Sequence, residues 1–214
     1  MSGTKMDTTD TERDIGVKVH HSLRPSTQCK EAARRANVVL GQISTFHFRD
    51  RNIFVKLYKT YVRPQFEFSV PAWSPWTLGD KEALEKIQKR ALRMVSGLHG
   101  REYEDRLVEL DMLSLEGRRK LYDLVQTFKI IRGFDDVKHS TWFTLVGDNP
   151  TRITRQSSHP LNIVRPHCRN EIRRAFFSVR VVDPWNALPS EVKDARSVLA
   201  FKRSVRELIK TNSV

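Results

Sequence analysis

The chain has 214 residues, of which 39% are hydrophobic and 29% charged, so its composition is that of a globular protein and excludes a disordered chain. No apolar run approaches the roughly 18 residues that a membrane-spanning helix needs, and the polar amino terminus does not resemble a signal peptide. The two isolated cysteines fit a reducing compartment. We therefore expect an intracellular protein, nuclear or cytoplasmic, that is neither secreted nor attached to a membrane.

Positive charge dominates the composition. The net charge is +13 and the pI is near 10.1. Residues 138–214 contain fourteen Lys and Arg against six Asp and Glu, whereas residues 81–132 contain twelve against nine. Cations that neutralise phosphates release condensed counterions, so this excess favours a polyanionic partner.

The first part of the chain is predicted to be helical after a polar start. Residues 1–13 are expected to form a flexible leader. Apolar residues recur at helical spacing over 27–49. Asp50 is predicted to cap a second helix that has Tyr61 on its inner face. Pro64 should interrupt or end that helix, because proline has no backbone donor.

The middle of the chain contains the clearest helical patterns. The aromatic, proline-bound segment 71–76 is predicted to be a packed turn. A helix is predicted over 80–98, a short one over 103–110, and a long one over 114–131 that Gly133 ends.

The remainder has a weaker pattern. Residues 141–166 lack a clean period and are predicted to form a long loop. Residues 175–185 contain β-branched and aromatic side chains, which favour an extended segment. Ser197 is predicted to cap a final helix.

These elements predict a mainly α fold, a bundle of helical hairpins followed by a less regular, loop-rich extension. The predicted boundaries are a flexible leader at 1–13, a helical bundle at 14–136, and a basic carboxy-terminal extension at 137–214.

One basic stripe lies on the helix predicted over 80–98. Its cations have the i, i+3, i+4, i+7 spacing of one helix face and so can follow a phosphate backbone. They are Lys86, Lys89, Arg90 and Arg93. The alternative is a solvated face, neutralised by pairs from Glu82 to Lys86 and from Glu85 to Lys89.

Further candidate contacts for nucleic acid lie on the later helices. They are Arg119, Lys120, Arg203, Arg206 and Lys210. Arg119 and Lys120 are expected to point away from the core. Arg118 falls within the apolar arc of its helix, so it is expected to be packed or paired with an acid.

Four arginines of the predicted loop lie in a segment that is poor in acids. The segment could be an arm that binds phosphate or an ordinary linker. They are Arg152, Arg155, Arg165 and Arg169. Of the tryptophans, Trp73, Trp76 and Trp185 have apolar and proline neighbours, which favour packing in the core over stacking on bases.

Neither a metal site nor catalytic chemistry is predicted. His20, His21 and Cys29 lack the paired short spacings of a zinc site, as do His159 and the His167–Cys168 pair. Asp135 and Asp136 follow Phe134 directly, without the intervening residue of a polymerase metal-binding pair, and are expected to form a solvated turn. No cofactor is expected.

Several strings, in this order, resemble the region after the palm in the reverse transcriptases of jockey-like non-LTR retrotransposons. The most distinctive is LEKIQKRA at 84–91 followed by SGL at 96–98. The others are at 15–17, 26–32, 36–41, 57–64, 67–75, 103–107, 113–119, 176–182, 185–189 and 201–202. Together they span roughly residues 14 to 210. Each string alone has little specificity, and the resemblance rests on their ordered succession.

The resemblance implies a thumb of packed helices and a carboxy-terminal extension. In that family the thumb holds the template–product duplex while element RNA is copied at a nick. The matching strings include neither the palm aspartates nor the upstream endonuclease, so no catalytic residue is carried over and the chain itself is not expected to be an enzyme.

The first hypothesis is therefore a fragment of an RNA-directed DNA polymerase that binds RNA, DNA or their hybrid through the phosphate backbone. It would also dock on the palm of a parent polymerase. The alternatives are a helical scaffold for protein partners, or a retrotransposon relic without function. Exposed apolar surface where a palm would dock favours the relic.

Overall fold

The computed structural model describes residues 9–46, 49–148 and 159–211. The chain is mainly helical, as predicted. Its strands are β1 (Thr11–Asp14) and β2 (Val17–His20). Its α-helices are α1 (Ser26–Ser44), α2 (Arg51–Leu57), α3 (Pro64–Glu67), α4 (Val70–Trp73), α5 (Leu78–Arg93), α6 (Tyr103–Glu109), α7 (Leu115–Ile131), α8 (Glu171–Ala175), α9 (Phe177–Arg180), α10 (Val182–Asn186), α11 (Ser190–Lys193) and α12 (Val198–Lys210). A π-helical segment covers Tyr58–Val62, and 3-10 turns cover His139–Thr141 and Val146–Asp148.

The chain divides into two compact units. The first is formed by Met1–Ser69 with Trp73–Tyr103, and the second by Val70–Ala72 with Glu104–Val214. This division falls near Tyr103, whereas the sequence placed a boundary after residue 136. The difference arises because α7 packs against α12 and shares a hydrophobic core with it.

The first unit begins with a β-hairpin. Residues 11–13, expected in a flexible leader, belong to β1, which pairs antiparallel with β2. Ile15 and Gly16 form the turn with φ of 42° and 84°, and two positive φ angles match the right-handed twist of the paired strands. The leader prediction is therefore wrong for these three residues, while residues 1–8 lie outside the described part of the chain.

Helix α1 packs along α5 and against the helical segment that runs from α2 to α3. Its contact face carries Ala32, Ala36 and Leu40, which are fully buried. The small alanines allow the neighbouring helices to approach closely, and Leu84 of α5 is also fully buried.

The helix that starts after Asp50 changes its winding before Pro64. The carboxylate of Asp50 accepts hydrogen bonds from the backbone of Asn52 and Ile53, so the predicted cap is confirmed. The interruption takes the form of the π-helical segment, which places one extra residue in the turn before the prolyl nitrogen. Val62 is consequently buried, and Tyr61 is 55% exposed, so the prediction that Tyr61 faces inward is wrong.

Helix α5 begins two residues earlier than predicted. Its N-cap is Thr77, whose hydroxyl accepts from the backbone of Asp80 at 3.2 Å and donates to the Asp80 carboxylate at 2.7 Å. Asp80 is thus an acid of the first turn, where the helix dipole favours negative charge. The same carboxylate accepts from the Ser26 hydroxyl at 2.7 Å, which ties the starts of α1 and α5 together.

The second unit is built around α7 and α12. Phe128 and Phe201 stack with ring centroids 4.2 Å apart, and Trp185 packs beside them. Gly117 allows a close approach at this crossing, because a Cβ there would lie 3.0 Å from the side chain of Ile209 and would push that side chain away. The cap predicted at Ser197 is confirmed, since its hydroxyl accepts from the backbone of Ala200.

The segment predicted to be extended is helical. Residues 175–185 lie in α8, α9 and α10, which place Phe177, Val181 and Trp185 at i, i+4 and i+8 on the buried side. This helical spacing outweighed the β-propensity of the individual residues, because burial on one face decides the conformation. The extended-segment prediction is therefore wrong.

The segment 141–166 is mostly irregular where it is described. Leu145 and Ile163 form an isolated antiparallel bridge. Residues 149–158 lie outside the described part of the chain, and so do Arg152 and Arg155.

Candidate nucleic-acid interface

The four cations of the α5 stripe share the solvent face of the helix. Lys86, Lys89, Arg90 and Arg93 are all exposed, while the opposite face of α5 is buried. Both faces are therefore placed as the sequence predicted. At a rise of about 1.5 Å per residue the four charges span about 10 Å of helix axis.

The pairs that would neutralise the four stripe cations do not form among the described residues. Within the described residues no carboxylate lies at ion-pair distance from any of the four cations, so the expected pairs of Glu82 with Lys86 and Glu85 with Lys89 are absent. The Glu85 carboxylate instead accepts a hydrogen bond from the Tyr103 hydroxyl. The charge of the stripe is therefore exposed to solvent and available to an anion.

A buried network of hydrogen bonds links α5, next to the stripe, to two tyrosines of the first unit. The Gln88 amide donates to the Tyr103 hydroxyl at 2.8 Å and accepts from the Tyr58 hydroxyl at 2.7 Å. Burial, and secondly the Glu85 charge, raise the pKa of Tyr103, so its phenol stays protonated and donates. The ammonium of Lys89 lies 5.0 Å from the centroid of the Tyr103 ring, which orients one cation of the stripe.

One basic residue of α7, Arg119, is placed differently from the prediction. Arg119, expected to point to solvent, is buried, with 6% of its surface exposed. Arg118 is half-buried and its guanidinium donates to the Tyr122 hydroxyl at 2.7 Å. Lys120 is also half-buried. The prediction was wrong for Arg119 because α7 is buried on two faces. The apolar arc identified one of these faces, and Arg119 lies on the other.

Arg119 lies beside a buried ion pair that sequence reasoning missed. The Arg180 guanidinium donates two hydrogen bonds of 2.8 Å to the Asp123 carboxylate, and it donates a third to the Ala175 carbonyl. Burial raises the pKa of Asp123, while the bonds from Arg180 and the charge of Arg119 oppose that shift. The i, i+4 spacing of Arg119 and Asp123 was a signal that would have placed both on one face.

The cations of α12 are held by an acid from a distant loop. Arg206 and Lys210 each lie 2.8 Å from the Asp111 carboxylate, and Lys210 also lies 2.9 Å from Glu207. The bond from Lys210 is the main cause that lowers the pKa of Asp111. Arg203 is exposed and has no ion pair within the described residues.

The remaining aromatic and loop residues are placed as follows. Trp73 and Trp185 are buried, as predicted for core residues, and each indole donates to a backbone carbonyl at 2.7 Å. Trp76 is half-buried. Arg165 pairs with Asp183, and Arg169 is exposed.

The aspartates after α7 lie in a turn, as predicted. Gly133, at φ +70°, and Phe134 return hydrogen bonds to the carbonyls of Ile130 and Lys129, the pattern that closes a helix with a left-handed residue. Asp135 accepts from Gln126 at 2.8 Å. Asp136 is exposed.

Across the described ranges no three His, Cys, Asp or Glu side chains are grouped as a metal site would require. The described helices also include none with the length and apolar character to cross a membrane. No family model, curated protein or solved structure matches the chain.

Proposed function

We propose that the chain binds nucleic acid through its phosphate backbone, with the α5 stripe as the principal contact. The proposal rests on the exposure of Lys86, Lys89, Arg90 and Arg93 on one helix face without carboxylate partners among the described residues. Unneutralised cations along one line suit the regular spacing of phosphates. Arg203 is a secondary contact, whereas the burial of Arg119 and the pairing of Arg206 and Lys210 make those three weaker candidates.

The proposed context is the thumb of a non-LTR retrotransposon reverse transcriptase, and the proposed ligand is the template–product duplex. The ordered strings of the sequence support this origin, and a mainly helical fold is compatible with it. The chain in this proposal holds nucleic acid and does not polymerise it, because the matching strings carry no palm aspartates.

The experiment compares an RNA–DNA hybrid, duplex DNA and single-stranded RNA from about 50 to 200 mM salt, using the intact chain. Replacing the four stripe cations by Gln should reduce the slope of log affinity against log salt by about 3.6, at about 0.9 per phosphate contact on a duplex. Preference for the hybrid would support the thumb context.

A matched control removes the same charge from four scattered, exposed cations of the first unit. The control variant carries Arg13→Gln, Arg24→Gln, Lys30→Gln and Lys56→Gln. Its slope should change much less than that of the stripe variant. Equal slopes for the two variants, or no binding at low salt by protein that circular dichroism shows to be folded, would overturn the proposal.

Exposed apolar side chains favour a second candidate, a surface that docks another protein. In the first unit Ile15 is 86% exposed and Phe68 is 56% exposed. They are close in space, because a Cβ on Gly16 would lie 3.2 Å from the Phe68 ring. If this candidate is right, the double variant Ile15→Ser, Phe68→Ser will abolish binding to a protein partner and leave nucleic-acid affinity unchanged.

A further inference from the structure

A pair of aromatic rings lies on the surface of the second unit. Trp142 follows the 3-10 turn His139–Thr141, and Phe176 lies between α8 and α9. Their rings are parallel to within 6°, with centroids 6.3 Å apart, and the residues are 38% and 45% exposed. The buried ring of Phe177 contacts Trp142 edge-on at 5.9 Å and holds the pair in place. Large aromatic surface thus remains in water, although its burial would be favourable.

Two exposed arginines border this pair. The guanidinium of Arg173 lies 5.1 Å from the centroid of the Phe176 ring. Arg174 follows it at the end of α8, and neither side chain has an ion pair within the described residues. Positive charge without a carboxylate partner among the described residues therefore lies next to an exposed aromatic surface.

A basic cleft of about 600 Å³ lies beside Arg174. It is lined by Arg165, His167, Arg174, Arg180 and Asp183, together with Pro166, Cys168 and Val179. A smaller cavity of about 180 Å³ is lined by Trp142 and Arg173 among others, and Pro166 lines both cavities.

The internal ion pairs of the cleft leave part of its charge uncommitted. Arg165 engages Asp183, and Arg180 engages Asp123. Arg174 remains to receive an anion, and the exposed imidazole of His167 can donate a hydrogen bond to it.

We propose that this surface is a binding site for single-stranded nucleic acid, separate from the α5 stripe and not dependent on it. An unpaired base stacks on Trp142 and Phe176, and the flanking phosphates lie against Arg173 and Arg174 and enter the cleft. A duplex does not fit this chemistry, because its base faces are already covered by stacking. An acidic peptide would use the arginines and leave the ring faces unused.

The experiment titrates the intact chain with a 12-nucleotide single strand, as RNA and as DNA, and with mononucleotide. Affinity is measured by fluorescence anisotropy, and contact with Trp142 is measured by quenching of tryptophan emission. Arg173→Gln with Arg174→Gln should reduce the salt slope by about 1.4, at about 0.7 per single-strand phosphate. Phe176→Ala should weaken binding by about 5- to 150-fold, since a stacked base contributes about 1–3 kcal/mol.

Two controls separate contact from structural damage. Arg132→Gln with Arg196→Gln removes the same charge from exposed arginines outside the cleft, and it should change the slope much less. Trp142→Phe keeps an aromatic ring, so affinity should fall by less than about threefold while most of the quenching disappears. Stronger binding of RNA than of DNA would indicate a contact with the 2′-hydroxyl.

Three results would overturn the proposal. One is an equal loss of slope in the Arg173/Arg174 and Arg132/Arg196 variants. Another is quenching that persists unchanged in Trp142→Phe. The third is competition by mononucleotide or polyglutamate as effective as that by the oligonucleotide. If a single strand still quenches the tryptophan emission of the α5 stripe variant, the two sites are separate. Either proposal can then be contradicted without the other.

Discussion

The basic faces of α5 and α12 have similar spacing in the sequence but a different electrostatic environment in the fold. On α5 the four cations are exposed, and no described carboxylate pairs with them. On α12 two of the three candidate cations lie 2.8 Å from Asp111. Arg119 of α7 is the least available of these cations, because it is buried beside Asp123. A helical stripe therefore predicts which face carries charge, whereas the acids that reach it from elsewhere decide whether the charge is available.

The largest effect is expected where a cation is buried rather than exposed. Asp123→Asn removes the charge that compensates Arg180 and Arg119, and it should lower the free energy of unfolding by about 3–5 kcal/mol. Urea denaturation followed by circular dichroism measures this. The exposed Asp136→Asn serves as the control and should stay within about 0.5 kcal/mol of the wild type. A similarly small change for Asp123→Asn would contradict the stabilising role of the buried pair.

The second prediction concerns a variant in which the cations of α12 lose their acidic partner, as on α5. Asp111→Asn removes the carboxylate that pairs with Arg206 and Lys210, and Asn tolerates the positive φ of 47° at this position. If both cations then contact phosphate, the salt slope for duplex binding should steepen by about 1.8. Asp136→Asn gives the same change in net charge and should leave the slope nearly unchanged. Identical slopes for the two variants would show that Asp111 does not control the cations of α12.

The smallest effect concerns the pH dependence of stability through Asp111. Its pKa is lowered in the fold below the ordinary value of 3.8, chiefly by Lys210. The carboxylate thus contributes stability above that value, and the contribution is lost as pH falls through the lowered pKa. Because the pair is largely exposed, we expect about 0–1 kcal/mol. Wild type and Asp111→Asn should differ by this amount at pH 6, and the difference should shrink as the pH falls below 3.8. A difference that is constant with pH would exclude this linkage.

Local signals in the sequence located two helix caps and the face of the main stripe. Asp50 and Ser197 were identified as caps because a short polar side chain before an apolar period satisfies the first free backbone donors. The start of α5 was placed two residues late, because the helix was predicted to open at Asp80, whereas Thr77 is its N-cap. Thr and Asp both have a short side-chain oxygen that can accept from the first backbone N–H groups of a helix. The sequence pattern alone did not show which of the two positions begins α5.

The errors occurred where burial on more than one side shaped the conformation. Arg119 was placed outside because a single apolar arc was assumed for α7, which is buried on two faces. Residues 175–185 were predicted to be extended from the propensities of single residues, although their apolar side chains recur at helical spacing. The aromatic pair of Trp142 and Phe176 was not predicted at all, because it joins positions 34 residues apart.

Composition and periodicity by themselves determined that this protein is mainly helical, strongly basic, and equipped with a cationic face on α5. These properties follow from local backbone chemistry and from the 3.6-residue period, which act within a few turns of chain. Only the tertiary structure decided which charges are available, by bringing Asp111 to α12 and Arg180 to Asp123. Such pairs depend on contacts between residues distant in sequence. The energy of each charge–charge interaction depends on the burial that those contacts create.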